Sequence, residues 1–286
     1  MIPSLPRPIW LRVGTVGYLL GFLLFLFLPL IVVGVFAFND APYPAPPWRG
    51  FTLDWFLGNA AVGRTGLFAD SELLGSMWTS FAVALWVTAL STLLGTSNAF
   101  LLERGNFRGK QTLSVLMLAP LVIPGVILGI SILAFASRIA EFADDTLGLE
   151  WDFLRPGLPL VVLGQFSYIA TIATLTISAR LRRFDRTLEE AALNLGASRA
   201  AVFRTILVPY LRPALLGSAG ISFLMSFADF NTTLMLVGSD SPLTVTMYAR
   251  MREGASPVLN AVSLFLMVAS ALLALTLLRR SRPSRG

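Results

Sequence analysis

The sequence predicts an all-α membrane protein that crosses the bilayer six times, with both termini in the cytoplasm. Three observations lead there. Hydrophobic residues make up 55% of the 286-residue chain, charged residues 13%, and the mean hydropathy is +0.74; a soluble domain needs a wetter surface than that. The apolar residues gather in six stretches, 13–38, 77–102, 112–136, 158–179, 211–237 and 259–278, each long enough for a helix to cross ~30 Å of hydrocarbon. The basic residues, finally, concentrate in every second connection.

That third observation fixes the orientation. The N-terminal tail, the 103–111 turn, the 180–212 loop and the C-terminal tail hold two, three, seven and four of the 22 Lys and Arg residues. Cytoplasmic loops carry such an excess, so these connections and both ends are expected inside. The formal charge of +6 is therefore a topology signal, and no nucleic-acid partner is expected. Neither cysteine nor histidine occurs. Disulfides, thiolate metal sites and the usual neutral-pH general base are thereby excluded, and no metal or catalytic site is expected.

Residues 1–12, with three prolines and two arginines, read as an irregular cytoplasmic tail. Residues 13–278 read as one transmembrane domain. Its first span carries no charge and lacks a small-residue cleavage site, so it is read as uncleaved. The Pro-rich stretch after it, APYPAPPW, cannot be helical and predicts an extended external loop. Trp48, Trp55 and Phe56 in that loop are expected at the membrane interface, where amphipathic rings settle. The third span holds Pro120, Pro124, Gly125 and Gly129, and freed backbone groups at that depth require protein neighbours or a watery cavity. Residues 137–157 form an acidic external loop and 238–258 another. The fourth span carries Gln165, Ser167 and Tyr168, and residues 279–286 form a basic cytoplasmic tail.

The 188–211 loop, LEEAALNLGASRAAVFRTILVPYL, is too polar for the bilayer. Its Ala/Leu/Glu-rich start favours helix, Gly196 offers a left-handed stop, and Ser198 is a good N-cap for a second helix. Pro209 stops that second helix or bends it back into the membrane. Two helices around a glycine break make a rigid knob for a partner to grip; a plain amphipathic connector is the alternative. In the fifth span, Asp229 is a carboxylate at membrane depth, where insertion costs ~3 kcal/mol, so it marks a candidate functional position. Asn231, Thr232 and Thr233 follow it as a polar stretch and, with Tyr168, are the candidate lining of a substrate path. The alternative is that Asp229 bonds a helix terminus or a partner subunit, or lies near the outer surface.

The pattern Glu190-Ala191-Ala192, three residues, Gly196, nine residues, Ile206, one residue, Val208-Pro209 resembles the EAA loop of type I ABC importer permeases. Only Val208 departs, standing where that pattern has leucine. Along residues 50–275, LERGNFRGK, APLVIPGVILG, SFADF and REGASPVLNAVS resemble the second permease of spermidine/putrescine-type importers. Relatives commonly read D-D-F where Ala228-Asp229-Phe230 stands here.

The resemblance implies a six-helix importer permease fold in a bacterial inner membrane. It further implies a second permease, a paralogue, and a homodimeric cytoplasmic ATPase that binds ATP and Mg. A periplasmic or lipid-anchored solute-binding protein completes the set. Glu190, Ala191, Ala192, Gly196, Ala197, Ser198, Arg199, Val202, Phe203 and Arg204 would then couple to the ATPase, and the solute would be a polyamine or another small molecule. This chain has no G-x-x-x-x-G-K-[ST] phosphate loop, so it binds no nucleotide of its own by that motif. A membrane enzyme would need companions for its acidic pairs at 144–145 and 189–190, which lack any histidine. A passive channel or scaffold would have no use for the EAA pattern.

Overall fold

A computed structural model describes residues 9–281, with side chains through residue 276. Most of the predicted N-terminal tail and the end of the basic tail lie outside the described residues. Thirteen α-helices follow in chain order among the described residues. They are α1 (Ile9–Phe36), α2 (Asp54–Leu57), α3 (Ser71–Arg104), α4 (Lys110–Leu116), α5 (Ala119–Val122), α6 (Gly125–Leu147), α7 (Leu158–Leu181), α8 (Thr187–Asn194), α9 (Arg199–Val202), α10 (Val208–Ala228), α11 (Asn231–Leu236), α12 (Leu243–Glu253) and α13 (Val258–Ser281). Six helical stretches are long and apolar enough to cross a membrane.

Two spans differ from the sequence reading. The third apolar stretch is not one helix: α4 and α5 end before Ile123, whose backbone is extended, and α6 starts at Gly125. Pro124 forces the residue before it out of the helical region, so the break falls inside the apolar run. In compensation α6 continues to Leu147, and Glu141, Asp144 and Asp145 stand on a helix instead of an acidic loop. The fifth span breaks at Asp229, which is extended between α10 and α11. The 238–258 connection, read from the sequence as a loop, is largely α12.

Pro209 does not end its helix. Residues Phe203–Leu207 form a π-helical turn in which the Val208 N–H reaches the Phe203 carbonyl, and Pro209 then sits in the first turn of α10, where a missing N–H costs nothing.

The chain packs as two units. One comprises Met1–Ser71 with Arg250–Val268. Its α1 has no buried residue, as a lipid-facing helix would. The following segment is a folded cap: the buried Asn39 donates to the Pro47 carbonyl and accepts from Arg49 N–H, while Trp55 Nε1 donates to the Asn39 carbonyl at 2.8 Å. Trp55 is thus a core residue of this cap, not an interfacial anchor; its indole N–H found a buried acceptor. Phe56 stacks on Phe38, and only Trp48 of the three is well exposed.

The other unit comprises Glu72–Ala249 with Ala269–Gly286. Its core joins Val83 and Val87 of α3, Ala136 of α6, Leu160, Val161 and Ile169 of α7, and Leu236 of α11. Small residues permit close helix approach: a Cβ added at Gly95 would lie 2.7 Å from Ala173 Cβ, and one at Gly129 would lie 2.8 Å from Met235 Cβ.

Candidate functional site

Two places in the second unit gather the candidate residues. The first is the 188–211 loop. Thr187–Asn194 is helical, Gly196 takes a left-handed φ of +88°, and the Ser198 hydroxyl accepts the Ala201 N–H at 3.2 Å to cap α9. No heavy atom lies within 4 Å of a Cβ added at Gly196, so conformation alone demands glycine there. Glu190, Ala191, Gly196, Ser198, Arg199, Phe203 and Arg204 are exposed, and Ala192 and Ala197 half-buried. Val202, 4% exposed, points inward instead. Leu195 is 89% exposed, an apolar side chain with no intramolecular cover.

The base of this loop is clamped. Leu181, Phe184, Leu207 and Leu211 form a buried cluster beneath it. Arg180 lies over the Tyr210 ring, 4.1 Å from its centre, and donates to the Tyr210 carbonyl. Glu189 accepts a two-pronged pair from Arg104 at the end of α3, with Nη1 to Oε2 at 2.7 Å and Nη2 to Oε1 closing the fork. The Arg104 hydrogen bond holds the Glu189 carboxyl below its ordinary 4.5, against the opposing effect of burial. Arg182 pairs with Glu103 beside it, and Arg186 donates to the Glu103 carbonyl at 3.1 Å. The sequence offers Glu189 only as half of an acidic pair and nothing that links it to Arg104, 85 positions away.

The second place is the break around Asp229. Its half-buried carboxylate accepts Tyr168 O–H at 3.0 Å on Oδ1, and Thr233 N–H at 2.9 Å and Thr233 O–H at 2.7 Å on Oδ2. Thr233 Oγ1 also accepts from Gln165 Nε2 at 2.8 Å, and Ser226 O–H closes the network on Gln165 Oε1. Thr244 O–H donates to the Asp229 carbonyl at 2.8 Å. Tyr168 and Asp229 are thus brought together, whereas Asn231 is exposed and Thr232 is buried beside Gly125 and Gly164. Thr233, named with Asn231 and Thr232 in the sequence, and Gln165 of the fourth span join the site, and Ser226 and Thr244 complete it beyond the sequence candidates. The readable hint was the spacing of Gln165 and Tyr168, three apart and hence on one helix face.

A six-span bundle with a clamped helix–glycine–helix loop and a hydrogen-bonded carboxylate at the break after its fifth span has the parts of a transporter subunit. Residues 91–281 match the model of the binding-protein-dependent transport system inner membrane component family. The chain belongs to this family. It is a permease of an ABC importer and a multi-pass protein of the bacterial inner membrane. It is 29% identical over 247 residues to the putrescine transport system permease protein PotI of Escherichia coli K12, covering 86% of this chain and 82% of that protein. It is 27% identical over 255 residues to the spermidine/putrescine transport system permease protein PotC of the same organism, covering 89% and 88%. Its fold matches a chain in the crystal structure of a bacterial ABC transporter that imports alginate, with a TM-score of 0.76 at 17% identity over 97% of this chain and 96% of that one.

Proposed function

We propose that this permease forms half of the translocation path for a polyamine-class cation. On this reading the 188–211 loop takes its thrust from a homodimeric cytoplasmic ATPase, which carries ATP and Mg. A paralogous permease supplies the other half of the path, and a periplasmic or lipid-anchored binding protein delivers the solute. Both termini and the 188–211 loop lie in the cytoplasm. The observation that carries the coupling is the knob itself, helix–Gly196–helix, clamped at its base and exposing Leu195 and Phe203. Exposed apolar side chains on a rigid surface element suit a protein cleft. The polyamine assignment draws on the relatives' substrates together with Asp229, since a cation passing through a low-dielectric region gains from a fixed carboxylate.

The test uses the complete importer in proteoliposomes. Gly196→Val puts a β-branched residue at a left-handed position. It should abolish solute uptake and weaken co-purification of the ATPase while the six-helix fold persists. Wild-type assembly and uptake would make the loop a plain connector. For the solute, ATP hydrolysis should rise with binding protein loaded with putrescine or spermidine; stimulation only by another loaded solute would overturn the polyamine assignment.

A further inference from the structure

Helix α3 runs unbroken for 34 residues, Ser71–Arg104, with no proline in it. Of the two routes along the chain out of the loop, α7 is also unbroken and meets Asp229 through Tyr168, whereas the route into α10 is softer. Loop residues lead into α10 through a π-helical turn with Pro209 and Pro213 just beyond, and the chain after α3 breaks at Pro124. At one end of α3, Arg104 forks onto Glu189 of α8, with side-chain exposures of only 27% and 17%. Its guanidinium also stands over the rings of Phe100 and Phe184. A bidentate guanidinium–carboxylate pair fixes direction as well as distance.

Toward its other end, α3 is tied to α12. Ser80 Oγ accepts Leu243 N–H at 2.8 Å, and the Ser76 and Thr246 hydroxyls share a hydrogen bond at 2.7 Å. The next residue, Thr244, donates to the Asp229 carbonyl. From Ser80 to Arg104 the helix covers about 36 Å at its standard rise. One stiff rod therefore joins the docking knob to the segment that carries the intramembrane carboxylate.

We propose that the Arg104–Glu189 pair is the pin through which the 188–211 loop drives α3, and through α3 the Asp229 segment. The inference rests on the coupling reading of that loop. Arg104 and Glu189 act here as positioning residues: they touch neither solute nor nucleotide, and they transmit displacement. The pin is distinct from the docking face, because Glu189 turns toward α3 while Glu190 stays exposed.

The test reads coupling separately from assembly, in the full importer reconstituted in liposomes. Arg104→Glu and Glu189→Arg should each leave the ATPase co-purifying. Each should also cut uptake and binding-protein-stimulated hydrolysis about tenfold or more. The double exchange should bring uptake back to within about threefold of wild type, because the pair re-forms in reverse.

A second measurement covers the case in which charge reversal disturbs the fold. The chain has no cysteine, so R104C/E189C provides its sole thiols. A short bis-methanethiosulfonate linker should restore uptake, and dithiothreitol should abolish it again. Wild-type uptake in the single variants would overturn the pin, as would a linked pair that stays uncoupled or single variants that lose the ATPase. If Gly196→Val also leaves uptake intact, the coupling reading itself falls. If Gly196→Val abolishes uptake and Arg104→Glu does not, only the pin falls.

Discussion

Asp229→Asn separates the two roles open to the Asp229 carboxylate. The carboxylate accepts three hydrogen bonds, from Tyr168 O–H and from the N–H and O–H of Thr233. An asparagine can keep all three contacts: its oxygen accepts both Thr233 donors, and its amide donates to the Tyr168 oxygen. What it loses is charge assistance, about 1 kcal/mol per bond and so about 3 kcal/mol in all. Against this stands the ~3 kcal/mol that a neutral side chain saves at membrane depth. The two nearly cancel, so the fold of D229N should be about as stable as wild type, with a melting temperature in detergent within a few degrees. Asp229→Ala instead leaves three donors without their acceptor, at about 1–3 kcal/mol each, and should melt clearly lower. With stability matched, uptake by D229N reads the charge alone. For a cationic solute KM should rise about tenfold, the effect of 1.4 kcal/mol. Wild-type KM and uptake in D229N would refute a role in the path and leave Asp229 as the cap of α11.

Three further outcomes follow from the geometry. Gly95→Val should lower the temperature at which the detergent-solubilised protein stays monodisperse, because its Cβ meets Ala173 Cβ at 2.7 Å and the Thr174 backbone nitrogen at 2.9 Å. Overpacking of that kind costs about 1–3 kcal/mol, and Gly75→Val on the same helix, with nothing within 4 Å, should have little effect. Ser198→Ala removes the cap on Ala201 N–H, and amide exchange in α9 should quicken about fivefold for a loss of ~1 kcal/mol, with Ser198→Asp restoring protection. Because Glu189 is held below its ordinary 4.5, its contribution is fully present above that value. Loop protection should therefore be flat from about pH 8 to 5 and lost only as the pH falls through the lowered value; a transition near neutrality would contradict the pairing.

Much of this protein is legible along the chain. Apolar run length gives the spans, and the helix–Gly196–Ser198 sequence gives the loop's conformation residue by residue, because caps and left-handed stops are local events. The break at Pro124 is also written in local terms, because the constraint of proline on Ile123 outweighs an unbroken apolar run. Trp55 was misplaced for the opposite reason. Interfacial position is a statistical habit of tryptophan, and here a single acceptor, the Asn39 carbonyl, decided otherwise.

By itself, then, the sequence determined a six-span importer permease, the conformation of its 188–211 loop and the presence of a carboxylate beside the fifth span, since hydrophobic length, propensity and motif spacing are written in contiguous residues. Only the tertiary structure decided what those parts touch. Asp229 meets Tyr168 across 61 positions, Arg104 meets Glu189 across 85, and Ser80 meets Leu243 across 163. Such pairs are selected by how helices pack face to face at their small residues. Polar side chains inside a membrane bundle have little water to fall back on, so the partners they do find are those the packing brings within reach.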